Sequence, residues 1–285
     1  MSLVRAGSVG KISTNLGYEQ YEKKLAKIKN YLEEGETYQV NFSQRFSADS
    51  TVDPWQIYKK LDDLNPAPHS CFFDFQYLKK VFQIISSSPE LLLQKTASKI
   101  ITKPIKGTIA RAKNAADDQK NIKKLLDSKK DAAELVMIVD LERNDLGKVC
   151  EAGSVRVLAH RDVEKYARVS HTVSTIEGSL RHGKDFFDAF EAMFPGGSIT
   201  GCPKKRTMQI IDKLEDFKRG VYTGSAGYVG FDGNASMNIL IRTMLCKNNR
   251  IYYQAGGGIV IDSDARAEYE ESLQKAKALT EVLTS

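Results

Sequence analysis

The chain is poor in the residues that staple or stiffen small folds. It has 4 Cys, 7 Pro and a single Trp among 285 residues. Cys71, Cys150, Cys202 and Cys246 stand far apart and form no CxxC pair, which excludes the usual zinc and iron–sulfur spacings. Thiols this isolated read as reduced, so a cytoplasmic location is expected. No run of 18 apolar residues is present, so no membrane-spanning helix is expected. No apolar run follows Arg5 and Lys11, so no secretory signal is expected. Charge of one sign is not concentrated either. The net charge of +6 comes from 42 Lys and Arg against 36 Asp and Glu, in runs no longer than Lys204-Lys205-Arg206. A scattered excess fits a small anionic substrate at least as well as nucleic acid. What remains is ordinary globular composition, 41% hydrophobic and 27% charged, with enough chain to bury a core without staples.

Periodicity predicts a helix over 18–34, with Tyr21, Leu25, Ile28 and Leu32 at helical spacing and Gly35 as its stop. Alternation predicts a strand over 37–46, a helix covers 54–64, and strands follow over 71–76, 80–86, 91–95 and 99–105. Helices are predicted over 115–126 and 130–146, strands over 155–160 and 171–177, and helices over 186–193 and 204–215, the latter opening at Pro203. Strands are predicted over 227–231, 235–246 and 251–255, with a turn at Asp232-Gly233, and a last helix over 265–283. Hairpin-linked strands and grouped helices indicate an α+β fold with mixed, largely antiparallel sheets packed with helices. No linker is visible, so a single domain is expected.

Four segments could carry chemistry. On the last helix, Glu268, Glu271 and Lys275 share one face, preceded by the triplet Gly256-Gly257-Gly258, whose backbone could approach an anion. Taken alone this reads sooner as a solvated charged face after an ordinary flexible loop. Asp131 and Glu134 share a face of the 130–146 helix beside the apolar Leu135, Ile138 and Leu141. Two such acidic faces that met would suit a hard cation such as Mg²⁺. Pro195–Lys204 is a Gly-rich turn with Ser198 and Thr200 running into a helix, without Walker spacing. In Thr102-Lys103-Pro104-Ile105-Lys106-Gly107-Thr108, Lys106 is an exposed strand-end lysine or a nucleophile. Its neighbours Pro104, Ile105, Gly107 and Thr108 are uncharged, so the local sequence offers no counter-ion. Upstream, Glu90 follows Ser88-Pro89 at a turn, as a general acid or a polar turn residue.

Together the segments resemble the chorismate-utilising enzymes. The blocks that carry the resemblance are Tyr38-Gln39-Val40-Asn41, Ser87-Ser88-Pro89-Glu90, Pro104-Ile105-Lys106-Gly107-Thr108 and Ile138-Val139-Asp140-Leu141-Glu142-Arg143-Asn144-Asp145-Leu146. Pro195-Gly196-Gly197-Ser198-Ile199-Thr200-Gly201, Asn238-Ile239-Leu240-Ile241-Arg242-Thr243, Gly256-Gly257-Gly258-Ile259-Val260 and Ala267-Glu268-Tyr269-Glu270-Glu271 follow in family order. The resemblance implies the chorismate-binding-enzyme fold over 17–285, with 1–16 an N-terminal extension that opens on a cloning remnant. Family members carry a longer N-terminal region with, in many, a tryptophan pocket, so feedback control by tryptophan is not expected here.

The branch follows from two positions. Water-adding members typically carry a lysine where this chain has Gln39, and lysine at the place of Lys106 marks the aminodeoxychorismate synthase component I branch. The resemblance implies Lys106 as nucleophile, Glu90 as acid and His171 near the ring. It implies Mg²⁺ between Glu134 and Glu271, with Asp131 and Glu268 close by. Gly256, Gly257, Gly258 and Lys275 would hold the ring carboxylate, Arg242 the enolpyruvyl carboxylate, and Ser198 and Thr200 would lie near the ring. The implied partners are chorismate, ammonia and a separate glutamine amidotransferase subunit, since no glutamine-hydrolysing cysteine motif is present. An anthranilate synthase large subunit and a silent chorismate-binding subunit are the alternatives.

Overall fold

The computed structural model describes residues 7–75 and 81–284. In chain order the first elements are β1 (Ser13–Thr14), α1 (Tyr18–Glu33), β2 (Gln39–Asp49), α2 (Pro54–Leu64), β3 (His69–Asp74), β4 (Gln83–Ser88), β5 (Leu91–Thr96), β6 (Lys99–Lys103) and β7 (Ile105–Ala110). Then come α3 (Ala115–Asp127), α4 (Lys129–Gly147), β8 (Arg156–Lys165), β9 (Val169–Ser179) and α5 (Phe186–Met193). A short 3₁₀ turn at Gly197–Ile199 leads to β10 (Gly201–Cys202) and α6 (Lys204–Leu214). The chain closes with β11 (Gly227–Val229), β12 (Ala235–Asn238), β13 (Thr243–Lys247), β14 (Arg250–Ile259) and α7 (Ala265–Thr284). Gln76 and Lys80, at the edges of two expected strands, and the remnant Met1-Ser2-Leu3 lie outside the described residues. Among the described residues no helix is long and apolar enough to cross a membrane.

The fold is α+β and its strand pairings are antiparallel. It resolves into two compact units where the sequence, lacking a linker, suggests one. The first comprises the described residues of Met1–Pro89, Thr200–Gly224 and Leu240–Ser285; the second comprises Glu90–Ile199 and Ser225–Ile239. Each unit is assembled from discontinuous stretches, so no composition shift marks a boundary.

The first unit holds a sheet ordered β1-β2-β14-β13-β4-β3, with β10 also paired to β2. Alternation along β2 and β14 sends Phe46, Ile251, Tyr253 and Ala255 to one face. There they form a core with Ile57 and Leu61 of α2 and Ala276, Leu279 and Val282 of α7. Tyr21, Leu25 and Ile28 of α1 pack with Val40, Phe42, Ile210 and Leu214 in a second cluster. At its end α1 stops where expected, since Gly35 takes the left-handed φ of +70° that glycine tolerates best.

The second unit holds a sheet ordered β11-β12-β5-β6-β9-β7, with β8 on the other side of β9. Leu135, Ile138 and Leu146 bury the inner face of α4, which Ser128 caps by accepting from the Asp131 N–H. Two expected strands divide. The strand at 99–105 breaks at Pro104, which has no N–H to donate, and a further strand, β7, continues to Ala110. The strand expected over 235–246 is two strands in different sheets, β12 and β13. Between them Arg242 takes a φ of +49°, which no alternating pattern forecasts.

Candidate active site

In the second unit, Lys106 sits beside a β-bulge. The β7–β9 register pairs Lys106 with Thr172 and Thr108 with His171, leaving Gly107 as the extra residue at φ +79°. Only glycine suits this spot. A methyl group there would lie 2.9 Å from Leu125 Cδ1 and 3.1 Å from Asp131 Oδ2. The bulge brings the Lys106 ammonium 3.2 Å from Glu134 Oε2 on α4, with only 12% and 9% of the two side chains exposed. Lys106 is therefore no surface lysine, and the expectation that it lacks a counter-ion is corrected. The counter-ion comes from another element rather than from the flanking residues. Lys130 lies 3.9 Å from the other Glu134 oxygen. The Thr172 hydroxyl donates to the Lys106 carbonyl oxygen.

His171 is buried on the neighbouring rung, its Nδ1 2.8 Å from Thr108 Oγ1 and its ring 5.5 Å from that of Tyr166. Thr108 is thus a second residue the motif contributes, one the sequence reading did not single out. Nearby, burial would raise the Glu164 carboxyl, but hydrogen bonds from Lys103 and Tyr166 hold it below its ordinary value. Glu90 is buried ahead of β5, with its carbonyl oxygen accepting from the Ile239 N–H at 3.0 Å, and Ser198 is buried in the 3₁₀ turn.

In the first unit the Gly256–Gly258 triplet is no flexible loop. It continues β14, with Gly256, Gly257 and Gly258 opposite Ser43, Phe42 and Asn41. A methyl group on Gly256 would stand 2.1 Å from the Phe42 carbonyl oxygen, so the close strand approach itself demands glycine. Strand β13 accompanies β14 only as far as Tyr253. Among the described residues, β14 has β2 as its sole ladder partner from Gln254 to Ile259, so alternate backbone groups on its outer edge face away from any described strand.

The face of α7 turned to Gly257 carries the expected acids. A methyl group on Gly257 would lie 3.2 Å from Glu268 Oε2, 3.5 Å from Glu271 Oε1 and 3.8 Å from Lys275 Nζ. Lys275 bonds Glu271 Oε1 at 2.7 Å and the Gly256 carbonyl oxygen at 3.0 Å. Glu268 is buried and accepts from the Ser263 hydroxyl at 2.7 Å. Thr200 is tied to the same region, its carbonyl oxygen accepting from the Asn41 N–H at 2.8 Å. Arg242 stands at the start of β13, its carbonyl oxygen taking the Ser87 N–H at 3.1 Å. The Tyr222 hydroxyl of this unit is pushed up to about 12 by burial.

Each unit thus gathers an acid pair with a lysine: Asp131 and Glu134 with Lys106, Glu268 and Glu271 with Lys275. Among the described residues no three His, Cys, Asp or Glu side chains form a metal cage. A profile of the chorismate binding enzyme family matches residues 4–281. The chain belongs to that family. It is 44% identical to aminodeoxychorismate synthase component 1 of Bacillus subtilis over 98% of the chain and 58% of that protein. It is 45% identical to an anthranilate synthase component 1 of Haloarcula marismortui over 92% of the chain and 53% of that protein. The solved anthranilate synthase component I of Streptococcus pneumoniae superimposes with a TM-score of 0.85 at 37% identity, over 95% of this chain and 59% of that one. The chain thus spans little more than half the length of these relatives. The expectation drawn from the eight ordered blocks is met at the level of family, and the similar identities to two kinds of synthase leave the branch to the site residues.

Proposed function

We propose that the chain is the catalytic core of an aminodeoxychorismate synthase component I, which forms 4-amino-4-deoxychorismate from chorismate and ammonia for p-aminobenzoate and folate synthesis. The observation that carries this reading is the largely enclosed Lys106, its side chain 12% exposed and set by the Gly107 bulge against Glu134. An amine held in a buried site can act as a nucleophile. In this reading the Lys106 amine forms a bond to C2 of chorismate, both ring double bonds move one position, and the C4–O bond breaks. Glu90 gives the departing oxygen its proton, so that water leaves. Ammonia then bonds to C4, the double bonds return, and the C2–N bond to Lys106 breaks. An ammonium has no lone pair, so in this reading Lys106 first passes a proton to the Glu134 carboxylate 3.2 Å away, and the neutral amine that results is the one that attacks.

Chorismate is a dianion, which suits Arg242 for its enolpyruvyl carboxylate, and the edge of Gly256–Gly258 with Lys275 for its ring carboxylate. His171, Ser198 and Thr200 are assigned to the ring surroundings. The two acid pairs fit Mg²⁺, which prefers hard oxygen donors and is commonly held by one or two carboxylates while keeping several waters. Glu134 and Glu271 already hold cationic partners in Lys106 and Lys275. Glu134, Glu271, Asp131 and Glu268 would hold the metal, whose chemistry is to neutralise the substrate's carboxylate. Ammonia is assigned to a separate glutamine amidotransferase subunit.

The second reading is an anthranilate synthase, favoured by the 45% identity to such a protein. Chromatography of the product from chorismate, Mg²⁺ and ammonium separates the two. A C4-amino product supports the first reading. It also requires a covalent chorismate-derived adduct on Lys106, seen by intact-protein mass spectrometry without ammonia and absent in Lys106→Ala. A Lys106→Ala chain that makes the C4-amino product at the parent rate refutes it.

A further inference from the structure

In the first unit the glycine triplet hangs on β2, and at the same level β2 rests on an ion pair. The Asn41 and Ser43 N–H groups turn away from β14. Asn41 donates to the Thr200 carbonyl oxygen at 2.8 Å, and Ser43 donates to Glu215 Oε1 at 2.9 Å. Backbone groups alternate along a strand, so those of Phe42 face β14, and those of Gly257 directly opposite face back. Gly256 and Gly258 therefore turn their N–H and C=O groups to the outer edge of β14, where Lys275 donates to the Gly256 carbonyl oxygen at 3.0 Å.

The other edge of β2 has a gap at this level. Among the described strands, β10 covers it at Gln39 and Val40 and β1 at Phe46 and Ser47. Between them Glu215 and Arg219 stand in for a strand. Glu215 Oε1 takes the Ser43 N–H as a neighbouring carbonyl would, and the Ser43 hydroxyl at 2.8 Å as well. Arg219 Nη2 donates to the Asn41 carbonyl oxygen at 2.6 Å as a neighbouring N–H would. The same guanidinium binds both Glu215 oxygens, at 2.8 and 2.9 Å. The two side chains are only 14% and 6% exposed, so solvent and salt screen the pair little.

We propose that Glu215 and Arg219 are positioning residues for the substrate's ring carboxylate. They act through β2: the pair fixes Asn41 and Ser43, and β2 in turn fixes where Gly256 and Gly258 present their N–H groups. The coupling is close, because a methyl group on Gly256 would stand 2.1 Å from the Phe42 carbonyl oxygen, so neither backbone can shift far without the other. The inference rests on the assignment of the ring carboxylate to the triplet and Lys275. The reacting groups Lys106 and Glu90 belong to the other unit, so the pair bears on binding rather than on the chemical step.

The test is steady-state kinetics with chorismate, Mg²⁺ and ammonium, paired with hydrogen exchange read by mass spectrometry. Arg219→Lys keeps the charge, but a single ammonium cannot fork to both Glu215 oxygens and still reach Asn41. Its KM for chorismate should rise about tenfold, the worth of one hydrogen bond to a charged group, while kcat stays within about twofold. Glu215→Gln keeps both the side-chain shape and an acceptor for the Ser43 N–H; it should raise KM less, and it carries the test if Arg219→Lys does not fold. Exchange should quicken over 40–44 and 254–259 in both variants and keep the parent rate over β13. A parent KM in both variants, a fall in kcat at unchanged KM, or exchange quickened evenly across the first unit overturns the proposal. KM is read from chorismate consumed, so a wrong branch shows in the product and leaves this result standing. A parent chain that consumes no chorismate overturns the functional reading, and this inference with it.

Discussion

Replacing Gly107 by alanine tests whether the bulge is what positions Lys106. Two costs follow from the structure. The residue sits at φ +79°, and a left-handed conformation costs an L-residue ~1–2 kcal/mol. The new methyl group would also meet Leu125 Cδ1 at 2.9 Å and Asp131 Oδ2 at 3.1 Å, and such overpacking costs ~1–3 kcal/mol. Gly183 is the control. It lies in the same unit with the same φ of +79°, but nothing stands within 4 Å of where its methyl group would be. Gly183→Ala should therefore show the backbone cost alone, and Gly107→Ala should be the less stable by the overpacking cost in urea unfolding. Relief of the clash would push β7 away from α3 and α4, and a displacement of about 1 Å at a reacting group can lower a rate ~100-fold. Amination of chorismate, followed by chromatography, should fall accordingly in Gly107→Ala and stay at the parent level in Gly183→Ala. Equal stability of the two variants, with parent-level turnover in both, would refute the placement of Lys106 by the bulge.

Three further outcomes are expected. Glu215 takes the Ser43 N–H at 2.9 Å, the Ser43 hydroxyl at 2.8 Å and the Arg219 guanidinium at 2.8 Å. Although burial opposes it, this carboxylate holds Arg219 above its ordinary value. Glu215→Ala leaves a guanidinium only 14% exposed without its carboxylate and should cost ~3 kcal/mol in urea unfolding, the low end for a buried pair, whereas a loss within error of zero would contradict the pairing. The Arg111 guanidinium and the Ala112 N–H hold the Asp118 carboxyl below its ordinary value of ~3.9. Its contribution is then complete above that value and is lost as pH falls through the lower folded value. The melting temperatures of the parent and Asp118→Asn should thus differ at neutral pH and converge below pH ~4. Glu271, half-exposed on α7, can be lost without unfolding the chain; Glu271→Ala should keep the parent's circular dichroism while its turnover responds far more weakly to added Mg²⁺.

The sequence by itself determined what depends on near neighbours. The ends of α2 at Pro54 and Leu64, the run of α5 from Phe186 to Met193 and the stop of α1 at Gly35 all follow from caps, periodicity and glycine, whose effects reach only a few residues. The candidate acids and lysines were legible as types at helical spacing, and eight ordered blocks carried the family. Tertiary structure decided what depends on residues far apart along the chain. A continuous alternating pattern over 235–246 became two strands in two sheets, because pairing partners and the kink at Arg242 lie outside any local period. The glycine triplet looked like a loop but is a strand, because the crowding that requires glycine comes from Phe42, more than two hundred residues earlier. Uncharged neighbours left Lys106 without a visible counter-ion, and Glu134 supplied one from α4. Electrostatic and steric contacts act through space, so a local pattern can name the residue that needs a partner but only the fold can deliver that partner.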